Sequence, residues 1–206
     1  MPKAGSSFLR NYFKQYKNIE LTIHHETISN NKRLELLKLK QRIGLIRNPY
    51  AWYISLWNWS CKNKKTSPLY SDLVSRRLKF KRLIFNSRTL KYIIDQISKD
   101  TKNLENLFLN PKSKKNFNKF VNIMLNLKFR NLVSSDYSFI PYKNFGYMTF
   151  VFFSHHVLKK DYEVLFESNK KLEDVINFID SKIYTNFYFK TEKLNKDLKG
   201  FLNNCL

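Results

Sequence analysis

The sequence has few of the residues that mark metal sites, disulfide scaffolds and membrane spans. Its 206 residues include only two cysteines, Cys61 and Cys205, which are too far apart for a zinc-ligand spacing and too few for a disulfide framework. No apolar run reaches the roughly 18 residues that a membrane-spanning helix needs. We therefore predict a cytoplasmic protein that binds no metal and has no membrane span.

Acidic residues are also scarce. The 16 Asp and Glu residues are outnumbered by 38 Lys and Arg, which gives a formal net charge of +22. Such an excess attracts anionic partners, which include nucleic acids, acidic glycans and phosphorylated cofactors. A hydrophobic content of 43% with 16% aromatic residues excludes a disordered chain. The length favours a single domain that covers residues 1–206.

Glycine is rare, with four residues in the chain, and one of them precedes the first predicted helix. Residues 2–7 read Pro-Lys-Ala-Gly-Ser-Ser, and an amphipathic helical pattern follows. A helix that begins after a glycine turn has free backbone N–H groups and a partial positive charge, so it can hold an anion. Lys3 adds a full charge. This stretch therefore predicts a phosphate-binding loop, although Lys3 precedes Gly5 and so departs from the Walker A pattern.

A second anion-binding pattern follows a short apolar run at residues 43–46, which predicts a buried strand. Arg47 comes directly after it, Asn48 can cap a helix, and Pro49 suits the first helical position. Ser55 lies about two turns into that helix, which we predict at about 49–61. Arg47 and Ser55 can thus hold one phosphate with a guanidinium group and a hydroxyl.

These motifs alternate with helices and strands in the order typical of a parallel α/β sheet. Residues 19–25 alternate like a strand and end in His24, His25 and Glu26. Ligands of such sheets bind at the carboxyl ends of the strands, so we expect residues 3–7, the His24–Glu26 cluster and Arg47 at one edge. The rest of the chain predicts an exposed basic loop at 62–72, helices at 75–84, 87–99, 115–127, 145–158 and 170–183, a strand at 162–166, and a basic tail.

Residues 2–7 resemble the 5′-phosphosulfate-binding loop of sulfotransferases, and residues 47–55 resemble their 3′-phosphate-binding motif. Those enzymes use 3′-phosphoadenosine 5′-phosphosulfate (PAPS). The pattern at 162–183 is also similar to the closing part of short microbial and carbohydrate-type members. The cytosolic aryl and steroid enzymes carry a further glycine-rich loop that is absent from this sequence, which favours the carbohydrate-modifying branch. The resemblance implies an α/β fold with a P-loop-like parallel sheet flanked by helices and a helix-rich second half.

The resemblance also implies roles for individual residues. Lys3 would neutralise the bridging oxygen as the sulfur–oxygen bond breaks, and no metal would be needed because sulfuryl transfer accumulates less charge than phosphoryl transfer. The phosphosulfate loop with its amides, and the two residues of the 3′-phosphate site, would bind PAPS: Lys3, Ala4, Gly5, Ser6, Ser7, Phe8, Arg47 and Ser55.

A base must take the proton of the acceptor hydroxyl, which the resemblance assigns to a carbohydrate. His25 lies at the end of the strand predicted at 19–25, where the family often has its catalytic histidine, and histidine titrates near neutral pH. Glu26 is an alternative because several carbohydrate sulfotransferases use glutamate, and His24 is a third. The sequence leaves these alternatives open.

The resembling enzymes have a buried apolar strand before the phosphosulfate loop, whereas only Met1 precedes Pro2 here. We therefore expect the N-terminal central strand to be missing and the chain to be a truncated form of a longer reading frame. The alternatives are that another segment, such as 162–166, takes its place, or that a second chain donates a strand.

The alternative function is a non-catalytic, basic nucleic-acid-binding protein. It would explain the net charge and the many aromatic residues, because phosphate attraction and base stacking hold single strands. It would not explain the two paired motifs, and no nucleic-acid-binding module is recognisable, so we expect the partners to be PAPS and a glycan acceptor.

Overall fold

A computed structural model describes residues 6–15, 38, 41–76, 78 and 87–205. In this part of the chain the structure is mixed α/β and mostly helical, with a small parallel sheet of two strands. The predicted α/β class is therefore confirmed. The chain packs as two compact units. The first contains Met1–Trp52, Met148–Leu165 and Asn169–Leu206, and the second contains Tyr53–Tyr147 and Phe166–Ser168.

The strands and the α-helices are each numbered in chain order. The strands are β1 (Ile43–Ile46) and β2 (Phe187–Lys190). The α-helices are α1 (Ser6–Phe13), α2 (Pro49–Lys62), α3 (Pro68–Val74), α4 (Ser87–Ile97), α5 (Thr101–Asn106), α6 (Lys114–Leu125), α7 (Arg130–Val133), α8 (Ser135–Ser138), α9 (Tyr147–His156), α10 (Lys159–Tyr162), α11 (Leu172–Asp180) and α12 (Leu194–Cys205). Short 3₁₀ helices cover Leu127–Phe129, Glu163–Phe166 and Thr191–Lys193.

The sheet forms because β1 and β2 pair in parallel, with Ile43 opposite Phe187 and Ile46 opposite Lys190. The strand predicted at 43–46 is confirmed. The basic tail predicted at the end of the chain contains β2 and α12. The sequence of β2 is Phe-Tyr-Phe-Lys, and aromatic side chains of this kind favour strands.

Helices cover both faces of the sheet. On one face, Leu45 and Phe189 form a buried cluster with Leu9 and Phe13 of α1, and with two leucines of α12, Leu194 and Leu198. On the other face, the ring of Tyr188 lies 5.3 Å from that of His156 and 5.9 Å from that of Phe152, both in α9. The helix predicted at 145–158 against the sheet is therefore confirmed.

The junction between β1 and α2 has the geometry that its sequence predicts. The Asn48 side chain accepts hydrogen bonds from the backbone N–H groups of Tyr50 (3.0 Å) and Ala51 (3.4 Å), and α2 begins at Pro49. These bonds satisfy donors that the first turn of a helix leaves unpaired. The cap stops β1 at Ile46 and leaves Arg47 directly after the strand.

The strand predicted at 162–166 is wrong. The segment is helical, with α10 followed by the 3₁₀ helix Glu163–Phe166. Val164 and Leu165 are neighbours in the sequence and both are buried. A strand would turn neighbouring side chains to opposite faces, whereas a helical turn can bury both. The amphipathic helix predicted at 170–183 is confirmed as α11.

In the second unit, the helices predicted at 87–99 and 115–127 are confirmed as α4 and α6. The basic loop predicted at 62–72 is wrong in its second half, because α3 begins at Pro68. The Ser67 hydroxyl caps this helix by accepting the Tyr70 N–H at 3.2 Å. Of the helix predicted at 75–84, only Ser75, Arg76 and Leu78 lie among the described residues, and these are not helical.

Candidate functional site

The candidate site lies at the edge of the sheet where both strands end, since parallel strands have their carboxyl ends on the same side. The segments that follow the strands are bonded to each other. The Thr191 hydroxyl donates to the carbonyl oxygen of Ile46 at 3.0 Å. A carboxylate oxygen of Glu192 accepts the backbone N–H of Asn48 at 2.8 Å. These two bonds join the β1–α2 junction to the start of the segment that follows β2.

The first turn of α1 lies at the same edge. Leu9 and Phe13 on one side of α1 pack on the sheet, whereas Phe8 is 44% exposed. Phe8 lines a cleft of about 630 Å³ whose other lining residues are Thr191, Glu192, Lys193, Leu194, Asn195 and Lys196. All of these residues follow β2 directly. The N-terminal turn of α1 therefore faces the carboxyl edge of the sheet, as the helix after a phosphate-binding loop does in open α/β sheets.

The cleft combines an aromatic wall with cationic side chains. The Phe8 ring stacks on Tyr12 with ring centres 6.0 Å apart and the planes inclined by 18°. Lys193 and Lys196 also line the cleft and supply positive charge. A planar, anionic molecule would contact both kinds of group, since rings stack on aromatic faces and ammonium groups attract anions.

The carboxylate of Glu192, at the same edge, disfavours a bound anion. The hydrogen bond from the Asn48 N–H, and then the charges of Arg47 and Lys190, hold the pKa of Glu192 below its usual value. Glu192 is therefore ionised at neutral pH. An anion bound beside Arg47 would meet this negative charge, so Glu192 either moves away when an anion binds or lowers its affinity.

The predicted site residues divide between described and undescribed parts of the chain. Ser6 and Ser7 are the first residues of α1, and Arg47 is half-buried directly after β1. Ser55 is half-buried in α2, in the part of that helix that belongs to the second unit. The remaining candidates, which lie outside the described residues, are Lys3, Ala4, Gly5, His24, His25 and Glu26.

Sequence reasoning missed the segment after β2, which supplies most of the cleft. Two signals were present. Tyr184, Phe187, Tyr188 and Phe189 make residues 184–189 rich in β-forming aromatics. From Leu194 onwards the apolar residues recur at helical spacing. Together they indicate a strand, a short link and a helix, and hence a second carboxyl end.

The sheet also has a buried histidine behind this edge. His156 is 4% exposed, its Nδ1 atom lies 2.9 Å from the Thr185 hydroxyl, and its ring packs 4.5 Å from that of Phe152. Burial lowers the pKa of His156 to about 3, with a smaller contribution from His155. A neutral imidazole in this position belongs to the core. Among the described residues, no group of three or more His, Cys, Asp or Glu side chains is arranged to hold a metal ion.

Comparison of the chain with protein-family profiles, curated protein sequences and solved structures gives no match. Within the described ranges, no helix is both long enough and apolar enough to cross a membrane.

Proposed function

We propose that the protein is a PAPS-dependent sulfotransferase that transfers a sulfuryl group to a hydroxyl, with a carbohydrate as the acceptor. The observation that carries this proposal is the position of the first turn of α1 at the carboxyl edge of the parallel sheet, the edge at which Arg47 follows β1. The two motifs that resemble PAPS-binding segments therefore lead to one edge, which supports a P-loop-like arrangement.

The residues of this edge suit the two phosphate groups of the donor. PAPS would supply the sulfuryl group from its 5′-phosphosulfate. The amides at the start of α1 would hold the 5′-phosphate, because unpaired N–H groups and the helix dipole favour an anion there. Arg47 would hold the 3′-phosphate with its guanidinium group.

The chemistry requires two further groups, a cation near the leaving oxygen and a base, which the resemblance assigns to Lys3 and to His25 or Glu26. Lys3 would stabilise the negative charge that develops on the leaving phosphate oxygen, a role that does not need a metal ion. His25 or Glu26 would accept the proton of the acceptor hydroxyl. The cleft volume of about 630 Å³ is within the range of small-molecule sites, about 300–1,000 Å³.

The negative charge of the Glu192 carboxylate should weaken the binding of a 3′-phosphate beside Arg47. The Glu192 carboxylate accepts a hydrogen bond from Asn48, and this bond and the charge of Arg47 lower its pKa. A 3′-phosphate bound at Arg47 must therefore displace this carboxylate or be repelled by its negative charge. Removing the charge while keeping the side-chain shape, as in Glu192→Gln, should therefore strengthen the binding of a 3′-phosphorylated nucleotide.

The decisive experiment measures the affinity for adenosine 3′,5′-bisphosphate by calorimetry. We expect Arg47→Ala to weaken binding about 10- to 100-fold, since a hydrogen bond to a charged group contributes about 1.5–3 kcal/mol. Glu192→Gln should bind the nucleotide several-fold more tightly. The control is Lys160→Ala, which removes an exposed positive charge from α10 in the same unit. If Arg47→Ala and Lys160→Ala bind equally well, the proposal is wrong.

Transfer is then measured with labelled PAPS and a panel of glycans, phenols and lipids. Lys3→Ala should reduce turnover much more than nucleotide affinity, because its charge is needed as the leaving oxygen becomes negative. His25→Ala and Glu26→Gln identify the base, which should cost about 10²–10⁴ in rate. An oligonucleotide at equal concentration that displaces the bisphosphate nucleotide, with no transfer to any acceptor, would favour a nucleic-acid-binding protein instead.

A further inference from the structure

Glu192 belongs to both the β1–α2 junction and the cleft. Its carboxylate accepts the backbone N–H of Asn48 at 2.8 Å, and this bond and the charge of Arg47 hold the pKa of Glu192 below its usual value. Glu192 is also one of the residues that line the cleft beside Phe8. A carboxylate of the protein itself therefore lies near the guanidinium group to which the proposed function assigns a phosphate of the donor.

A second cationic partner for Glu192 lies one helical turn further along the chain. The segment after β2 is helical from Thr191 to Cys205, because the 3₁₀ helix continues directly into α12. Residues four apart in a helix are neighbours, and a glutamate that precedes a lysine at this spacing is the favourable order. Lys196 follows Glu192 by four residues, is exposed and lines the same cleft. Its ammonium group is therefore within reach of the Glu192 side chain.

The Glu192 side chain can change its partner without unfolding the segment that carries it. Glu192 is exposed, so its side chain has room to rotate. The backbone beside it is held by another bond, in which the Thr191 hydroxyl donates to the carbonyl oxygen of Ile46 at 3.0 Å. Rotation about the side-chain bonds of Glu192 alone therefore moves the carboxylate away from Asn48 and towards Lys196.

We propose that Glu192 is a two-position side chain that couples the donor site to the cleft, which rests on the proposed function. An anion bound at Arg47 repels the carboxylate, which leaves Asn48 and pairs with Lys196. The charge of Lys196 is then neutralised, so a bound donor makes the cleft less attractive to a second anion and favours an uncharged acceptor. Because coupling is reciprocal, an anion held by Lys196 in the cleft weakens nucleotide binding.

Lys193 provides a matched comparison within the same cleft. It is exposed, has the same charge as Lys196 and also lines the cleft. It directly follows Glu192, however, and adjacent residues of a helix do not face each other. Simple attraction between a lysine and the nucleotide would act through both lysines, whereas pairing with Glu192 acts through Lys196 alone.

The test is a double-mutant cycle on the affinity of the full chain for adenosine 3′,5′-bisphosphate, measured by calorimetry. With Glu192 present, Lys196→Gln should weaken binding about two- to fivefold, as expected for the loss of an exposed ion pair. In the Glu192→Gln background the same substitution should change the affinity less than about 1.5-fold, because the pair cannot form. Lys193→Gln should have equal effects in both backgrounds, and Lys196→Arg should bind like the unmodified protein.

A second anion separates this coupling from the proposed function. The cycle is repeated with inorganic pyrophosphate, which has phosphate charge but no adenosine. Coupling between Glu192 and Lys196 with pyrophosphate, in a protein that does not bind the nucleotide, would support the two-position side chain and refute the PAPS site. Nucleotide binding that requires Arg47, with equal effects of Lys196→Gln in both backgrounds, would overturn the coupling and leave the proposed function. Binding of neither anion would refute both.

Urea unfolding without added anion tests the first position of the carboxylate. Because Glu192 then bonds to Asn48, the cycle of Glu192→Gln and Lys196→Gln should show no interaction between the two residues. An interaction as large as that in nucleotide binding would mean that the pair with Lys196 is permanent, and would overturn the proposal. A Lys193→Gln effect on nucleotide affinity that depends on Glu192 as strongly as that of Lys196→Gln would also overturn it.

Discussion

The close packing at Gly44 in β1 allows a sharp prediction. A Cβ atom added to Gly44 would lie 2.6 Å from Cε1 of Tyr188, 2.7 Å from its Cδ1 and 2.8 Å from Cε1 of His156. Non-bonded carbon atoms do not approach each other this closely, so the rings would have to move. They have little room, because Phe152 packs against both of them. We expect Gly44→Ala to lower the free energy of unfolding by about 2–3 kcal/mol, the upper part of the range for overpacked cores.

The assay is urea unfolding followed by circular dichroism, with the change read from the midpoint at constant slope. Gly200→Ala is the matched control, because Gly200 lies in α12 with nothing within 4 Å of an added Cβ. There the same substitution should stabilise the protein by about 0.5–1 kcal/mol, since alanine favours a helix over glycine. The two variants should therefore change stability in opposite directions.

A double-mutant cycle identifies the ring responsible. In a Tyr188→Val background, most of the steric conflict at Gly44 is removed, and Gly44→Ala should cost less than about 1 kcal/mol. If Gly44→Ala is as well tolerated as Gly200→Ala in the unmodified chain, the packing argument is refuted. If its cost is unchanged beside Tyr188→Val, the tyrosine ring is not the source of the conflict.

Two further predictions concern the buried His156 and the half-buried Arg130. The pKa of His156 is about 3, below its value of 6.5 in an unfolded chain, so only the unfolded state takes up a proton as the pH falls below about 6.5. Stability should then decrease by about 4 kcal/mol between pH 6.5 and pH 3.5, at about 1.36 kcal/mol per pH unit, and His156→Asn should remove this part of the pH dependence of urea unfolding. The Arg130 guanidinium donates to the backbone oxygens of Ile140 (2.6 Å), Tyr142 (2.8 Å) and Phe145 (3.2 Å). Lysine cannot reproduce this fork, so Arg130→Lys should cost about 3 kcal/mol in the same assay, and a loss below about 0.5 kcal/mol would contradict the assignment.

The elements that the sequence predicted well are those whose signals are local. Asn48 and Pro49 mark the start of α2 because capping and a preset backbone angle act within one helical turn. The bounds of α11 follow from an apolar face that includes Val175 and Ile179, both fully buried. Patterns of this kind do not depend on which distant segment they pack against.

The incorrect secondary-structure predictions concern segments whose structure depends on packing against residues that are distant in the sequence. Residues 162–166 were predicted as a strand, but no strand among the described residues pairs with them, and the burial of both Val164 and Leu165 favours a helical turn. Conversely, β2 is only four residues long and becomes a strand because β1 offers a parallel edge. A four-residue run carries too little periodicity to indicate this by itself.

The same limit applies to the candidate site. The position of Arg47 directly after β1 was predicted from a local motif and is the one observed. The cleft residues Thr191–Lys196 were not found, because they reach the edge only through the pairing of β2 with β1. The opposing charge of Glu192 is likewise a consequence of tertiary structure, since its partner Asn48 lies 144 residues away in the sequence.

The parallel pairing of β1 with β2 has a consequence for how the protein is made. The ribosome completes β1 at Ile46 but reaches its partner only at Phe187, 141 residues later (187 − 46). At about 5–20 residues per second, this interval lasts roughly 7–28 s. Throughout it the apolar strand has no hydrogen-bonding partner in β2, while residues 53–147 of the second unit are being synthesised. The unpaired β1 strand of the nascent chain is therefore exposed to aggregation, and a chaperone that binds short apolar segments would protect it during this interval.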